Sequence, residues 1–551
     1  MYLVESFLRL LPLTPAIPTV LVVSILLFLA FEWRVSCSAP PSLPETIPFI
    51  SNTWQYLMDM SGFLDRSQKT LQYSGIIRFR LGLMKMYWVT GSENTRALFG
   101  SPELFDADEL HLIFMRTHWG MPIQEIKMFK EDRSGRKKAP IKGFENTPHG
   151  ERYWYHHHRL YAEYLSSPKY AEVLANTFFD RFSQRLEEQP LNEWKPLQLF
   201  HFLKNDMAAS AIESLFGSTI LELNQDLLTA YWDFDRVAGA LVWGLPRLLR
   251  PHPWRIRERL HGMTARHLKF AWANFDWSGP QAECDWEPHF GSRFSRETAK
   301  WFRDSGFSDR TASGHTAAML FGLNGNTLPL TTWALMEIIQ DPDLMQAARK
   351  ECMSAFYIDQ SSGQRRIDIK TLLSLPLLSS ICTEVLRLHV SFNATRLVRS
   401  NTTIGGYYVS EGSLVQAPSQ IAHLDAATWG ADGHPAPDFW ASRHMKQVQE
   451  VAEETQSTFE RPALTKARAA RATSYFPFGG GQAMCPGRHF AKREVLMTIA
   501  MVLVRFEIRF VGWTELEGST SPGPAQNDKR YAGTAAMPPD RDIQIDWKRL
   551  W

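Results

Sequence analysis

Hydrophobic and polar positions divide the chain into three kinds of stretch. From Leu10 to Phe31 run 22 residues without a charge, about 33 Å as a helix and enough to cross a hydrocarbon core. Pro12, Pro15 and Pro18 confine the continuous helical part to Thr19–Phe31. Two short β-rich runs follow, Ile76 to Gly82 and Met86 to Thr90, and read as a hairpin; a second strand block runs from Thr403 to Val409 and on to Leu414 and Val415. Between and beyond them the apolar residues recur at helical spacing, as in Phe178–Leu186, Thr331–Cys352 and the run after His489 to Leu503.

Lys127 to Arg152 and Gln447 to Arg471 are polar enough to read as loops, and no internal repeat or heptad run is visible. The expected fold is mainly α, a large helical body with a small β-rich lobe. Its expected parts are a membrane anchor at residues 1–37, a proline-rich hinge at 38–51 and one catalytic domain at 52–551. A cleaved secretory leader competes with the anchor, but the small-residue cleavage site is poor and an uncleaved single-pass anchor is expected. Arg9 and Arg34 are too sparse to set its orientation.

Composition narrows the function classes. With 551 residues, 44% hydrophobic and 21% charged, the chain can bury a large core and is neither disordered nor collagenous. Sixty Lys and Arg against 58 Asp and Glu leave +2, which does not suit a nucleic-acid binder. Five cysteines, at 37, 284, 352, 382 and 485, are too scattered for a disulfide scaffold or a CxxC zinc site.

One cysteine has a chemical context. Phe476-Pro477-Phe478-Gly479-Gly480-Gly481-Gln482-Ala483-Met484-Cys485-Pro486-Gly487-Arg488 is a glycine-rich loop ending just before a helix, where glycines let the backbone approach a flat ligand and the dipole favours thiolate. A phosphate loop would end in Gly-Lys-Ser/Thr, and this one does not. A structural turn with an inert thiol is the remaining bland reading. Phe478-x-x-Gly481-x-x-x-Cys485-x-Gly487 resembles the haem-binding signature of the cytochrome P450 family. The resemblance implies haem b, with Cys485 as the axial thiolate on iron and Phe478, Gly481 and Gly487 shaping its loop. The position two before the cysteine, commonly basic in the family, is Ala483, so a propionate partner must come from elsewhere.

Further motifs stand in the family's order. Glu384-Val385-Leu386-Arg387 puts a carboxylate and a guanidinium on one helical face. Alone it would be a surface ion pair; about 100 residues before Cys485, with Phe439-x-x-x-Arg443 between, the resemblance makes Glu384, Arg387 and Arg443 a structural triad. His156-His157-His158 cannot converge on one metal, because consecutive helical residues diverge by about 100°. By resemblance Trp154 and His158, with Arg159 as the register alternative, face a haem propionate, and Arg396 matches another such position. The bland reading for these is a solvated basic face.

Ala317 to Gln340 reads as an apolar helix in which Gly322, Gly325 and Pro329 predict a local distortion. Most of the family has an acid followed by Thr in this turn; here the pair is Asn326-Thr327. Asn cannot carry a titrating proton, whereas Thr327 keeps a hydroxyl. The Gly-Asn-Thr-x-Pro form looks most like the branch with sterol 7α- and 12α-hydroxylases and prostacyclin synthase. Oxygenation and reductase-independent isomerisation both stay open, with Thr327 favouring the former. Ala238 to Arg259 is apolar with basic edges, either a membrane-facing junction near a substrate entrance or a buried one. The segment Tyr531 to Pro539 resembles the family's last hairpin, whose tip lines the pocket.

The resemblance thus implies a monooxygenase, and the expected anchor suggests attachment to the membrane of the endoplasmic reticulum. It would act on a lipophilic small molecule such as a terpenoid or sterol, using O2 and electrons from NADPH through NADPH-cytochrome P450 reductase, with no nucleic-acid partner.

Overall fold

In the computed structural model, which describes residues 39–551 apart from 244–246, 249, 362, 432, 446–470 and 472, the N-terminal strands form as their composition predicts. After helices α1 (Ser51–Met58) and α2 (Met60–Ser74), β1 (Ile76–Leu81) and β2 (Met84–Val89) pair antiparallel from Ile76↔Val89 to Leu81↔Met84. Gly82, at φ 57°, makes the two-residue turn possible. The proline-rich segment is less of a spacer than expected: Leu43 is buried, its N–H donates to Arg78 O, and Pro41 O accepts from Arg78 N, so residues 41–43 lie along β1. The expected anchor, Leu10 to Phe31, lies outside the described residues, as does nearly all of the loop from Gln447 to Arg471. Among the described residues no helix is long and apolar enough to cross a membrane.

The body consists of α3 (Tyr153–Tyr164), α4 (Pro168–Glu187), α5 (Leu227–Trp243), α6 (Pro251–Asn274), α7 (Asp309–Gln340), α8 (Pro342–Met353), α9 (Pro376–His389) and α10 (Arg488–Arg505), with shorter helices between. Strands β3 (Trp194–Gln198), β4 (Val390–Val398), β5 (Leu414–Pro418), β6 (Phe506–Thr514), β7 (Thr534–Ala536) and β8 (Asp542–Arg549) complete the strand set used below. The lobe is one sheet in the order β1-β2-β5-β4-β7; β5 runs parallel to β2 and the other neighbours are antiparallel. A second sheet, β6-β8-β3, closes the far side.

Two readings of the central helices change. The run Thr331–Cys352 is two helices, because the Asp341 carboxylate accepts from the N–H groups of Asp343 and Leu344 and Pro342 starts α8. The distortion expected around Gly322–Pro329 does not break α7, which continues for 32 residues through Pro329. Proline removes a single donor, and most of α7 is buried against other elements. Thr327, Thr331 and Thr332 donate their hydroxyls to carbonyls one turn back, which satisfies these buried groups within the helix. The loop from Lys127 begins inside a helix, Ile123–Glu131, and is pinned by Arg152, which donates to Ser134 Oγ and to the carbonyls of Lys137 and Lys138.

Candidate functional site

The glycine-rich loop is held by its own backbone: the Cys485 N–H donates to Phe478 O at 2.9 Å, and Gly481 has φ 62°. What the glycines approach is Phe99, since a Cβ at Gly480 would run into its ring and one at Gly481 into its carbonyl oxygen. Cys485 stands just before α10. Burial pushes its thiol upward, while the N–H groups of Gly487 and Arg488 and the Arg488 charge pull toward thiolate. The helix start therefore does not by itself make the thiolate; a coordinated cation deprotonates a thiol outright.

Facing this loop is a cavity of about 450 Å³ between α7, α9, β4, β7 and α10. Cys485, Phe478 and Gly487 line it from the loop, Asn326 and Thr327 from α7, and Thr534 and Ala535 from β7, as the last-hairpin resemblance predicts. Leu323, Leu386, Val390 and Phe392 make the rest of its wall largely apolar. A largely apolar slot lined by the cysteine of a glycine-rich loop suits a haem.

The rim differs from expectation. Trp154 is buried, but its indole N–H donates to Phe129 O at 2.8 Å and is not free for a propionate. Arg159 points to solvent and pairs with Glu163 at 3.0 Å. His158 is exposed on the same helix. Arg396 on β4 is buried, donates to Thr395 O and Gly480 O at 2.8 Å each, and lies 5.3 Å from the Phe99 ring centre. Burial lowers its guanidinium to about 10; Arg136 adds to the shift, and Asp106 and Asp108 oppose it.

Arg136 was missed in the sequence because it sits in a segment read only as polar loop. It lies 4.5 Å from the Trp154 ring centre, pairs with Asp108, and after burial is the charge that lowers His158. Arg396 reaches the loop through Gly480 O and has Arg136 within electrostatic range, so these two guanidiniums suit the carboxylates of a haem in place of the basic residue absent at 483.

The triad forms as the resemblance implies. Arg387 Nε and Nη2 donate to Glu384 Oε2 and Oε1, each at 2.8 Å, and Arg443 Nε donates to Oε1 at 2.8 Å. The two arginines also donate to the carbonyls of His423, Ala436, Pro435 and Asp438, tying this buried knot to the chain before the loop. His444 is a fourth partner that sequence reasoning passed over, 2.9 Å from Glu384 Oε2. Burial would raise the Glu384 carboxyl, but the hydrogen bonds from Arg387, His444 and Arg443 outweigh it and hold it at about 2.

On α7, Thr327 Oγ1 donates to Leu323 O at 2.8 Å and stands 3.5 Å from Glu494 Oε1 of α10. Glu494 also lines the cavity, and no sequence motif had singled it out. Asn326 is engaged by the main chain: its Oδ1 accepts from Ala536 N at 2.9 Å. Of the other described cysteines Cys382 also lines the cavity, but none stands in a glycine-rich loop before a helix. Burial pushes the thiols of Cys352 and Cys382 to about 12 and about 11, and the Cys284 thiol donates to Trp286 O.

Residues 149–522 match the sequence model of the family described as Cytochrome P450. The chain is 45% identical over 512 residues to cytochrome P450 monooxygenase calL of Penicillium decumbens, covering 93% of each. It is 27% identical over 384 residues to cholesterol 7-alpha-monooxygenase of Cricetulus griseus, covering 66% of this chain and 68% of that one. Among solved structures, retinoic acid bound cyanobacterial CYP120A1 superposes with a TM-score of 0.63 at 15% identity, over 93% of this chain and 99% of that chain, a likeness of fold.

Proposed function

The chain belongs to the cytochrome P450 family and is an oxidoreductase of its monooxygenase kind, and on that premise we propose that it hydroxylates a lipophilic secondary metabolite, a terpenoid or sterol, with O2 and electrons passed from NADPH by a flavoprotein reductase. The observation that carries this reading is the largely apolar cavity that Cys485 and Thr327 both line. Haem b, which Cys485 would hold, would supply the oxygen chemistry. The chain's own residues do the rest: Phe392, Val390 and Leu323 exclude water and pack the substrate, Asn326 positions β7 at the pocket edge, and Thr327 holds a hydroxyl where protons must arrive. The similarity to a fungal monooxygenase and to an enzyme named for cholesterol oxidation supports a polycyclic substrate class.

Membrane attachment through residues 1–37, at the endoplasmic reticulum, belongs to the same proposal. It is supported by the exposed Ile47, Ile50, Trp54 and Met58 beside Leu83 and Met84, on a surface where Gly82 N donates to Thr53 Oγ1 at 2.7 Å and ties the β1–β2 turn to α1. Leu248, between α5 and α6, is exposed as well.

The test is a screen of sterols and terpenoids for substrate-induced spectral shifts, followed by turnover with and without NADPH and reductase. Hydroxylated product only in their presence supports the proposal; conversion of an oxygenated substrate without them establishes an isomerase. A carbon-monoxide difference spectrum without the thiolate band, or its survival in Cys485→Ser, would remove the haem-thiolate premise.

A further inference from the structure

The segment that carries Thr534 and Ala535 to the cavity is gripped at two points along α7. Asn326 and Trp333 stand seven residues apart, about two turns, and so lie along one face of that helix. Asn326 Oδ1 accepts from Ala536 N at 2.9 Å, and Trp333 Nε1 donates to the carbonyl of the next residue, Met537, at 2.9 Å. The Met537 N–H donates to His389 O at 2.8 Å, so both main-chain polar groups of this buried residue are claimed from outside the segment.

Trp333 is itself held. Its indole lies flat on the His389 imidazole, with ring centres 4.2 Å and planes 4° apart, and both side chains are buried. His389 Nδ1 lies 2.7 Å from Asn527 Oδ1, and Asn527 bridges Pro539 on the other arm of the hairpin. A buried indole fixed both by a stacked ring and by its own N–H cannot turn or slide without losing one of the two.

This stack adjoins the wall of the cavity. His389 ends α9, and Val390 after it begins β4, lines the cavity and pairs with Ala536. Leu330, one turn before Trp333 on α7, lines the cavity as well. Trp333 and His389 stand behind these lining residues, so what they do to a substrate is done through the wall.

Resting on the monooxygenase reading, we propose that Trp333, backed by His389, is a positioning residue for specificity: it sets how far Thr534 and Ala535 enter the cavity, and so which carbon of a rigid polycyclic substrate is hydroxylated. A rigid ring system cannot bend around a wall that has moved, and a displacement on the order of 1 Å decides between neighbouring carbons. Asn326 holds the same segment but lines the cavity itself, so Trp333 is the point at which the depth can be altered without changing what the substrate touches.

Trp333→Phe is the discriminating variant, because it keeps an aromatic ring against His389 and removes the N–H that Met537 O accepts. In the haem-free protein, amide hydrogen exchange over residues 531–539 is expected to quicken several-fold while exchange over 476–485 stays as in the wild type. In the haem-loaded enzyme, with a rigid polycyclic substrate that the wild type hydroxylates, the ratio of positional isomers among the products should shift several-fold, with the carbon-monoxide thiolate band and melting temperature near those of the wild type. Asn527→Ala, at a half-buried position, releases the stack from its other side. It should move the isomer ratio in the same direction, and it carries the test if Trp333→Phe does not fold. An unchanged isomer ratio overturns the proposal even where turnover falls or exchange quickens, since a merely structural part would do that much. Absence of NADPH-dependent product in the wild type instead overturns the monooxygenase reading, and unaltered exchange in Trp333→Phe overturns the grip on the hairpin independently.

Discussion

Asn326 Oδ1 accepts a hydrogen bond of 2.9 Å from the main-chain N–H of Ala536, which joins the middle of α7 to β7 across the edge of the cavity. The Asn326 amide thus acts as a brace. Asn326→Ala leaves that N–H unsatisfied and is expected to cost about 1–3 kcal/mol and to weaken substrate binding several-fold in a spectral titration. Asn326→Asp keeps an acceptor and is expected to bind substrate nearly as the wild type does. Equal weakening by both variants would show that the brace is not what matters.

Glu384→Gln leaves two buried guanidiniums facing a neutral amide. Breaking a buried ion pair costs about 3–5 kcal/mol, so little folded, haem-loaded protein is expected, and what is recovered should melt well below the wild type. Wild-type yield and melting temperature would show that the knot is dispensable.

Glu384 also sets an acid limit. Its carboxyl sits at about 2 in the folded chain against 4.5 ordinarily, so the folded state binds the proton less readily than the unfolded one. Its stabilisation is therefore complete above about pH 4.5 and is lost as the pH falls from there toward 2. Denaturation followed from pH 6 down to pH 3 should show a falling midpoint below about 4.5, with a slope that Glu384→Gln reduces.

Gly481 combines φ 62° with a neighbour that leaves no room for a side chain. Gly481→Ala must both strain the backbone, by about 1 kcal/mol or more, and displace Phe99. Loss of the carbon-monoxide thiolate band is expected, whereas Gly512→Ala, in open space, should be silent there.

Arg136→Ala tests the substitute for the missing basic residue at 483. Haem transfer to apomyoglobin should be several-fold faster than from the wild type; an unchanged rate would leave Arg396 as sufficient.

The features legible in the sequence were those whose chemistry forces residue types into local spacing. The glycines before Cys485 and the i,i+3 pair of Glu384 and Arg387 are of this kind, and both sit where expected. Contacts between distant segments were not legible. His444, Arg136 and Glu494 acquire their roles from partners 60, 28 and 167 positions away, and nothing in their own neighbourhoods marks them. Trp154 shows the reverse error, since its spacing to His158 is right but a carbonyl from another helix claims its donor. At Asp341-Pro342 the capping signal was present and was outweighed by apolar periodicity on both sides.

The place of β4 in its sheet sets the order in which this enzyme can assemble. β4 pairs with β5 nearby, with Phe105–Asp106 far upstream and with β7 far downstream. Such distant pairings carry a large loop-closure entropy and make folding slow. During synthesis most of the helices leave the ribosome before β7 exists, so the apolar walls around Val390 and Phe392 stay exposed until β7 emerges. The nascent chain is then most vulnerable to aggregation just before it can enclose its cofactor.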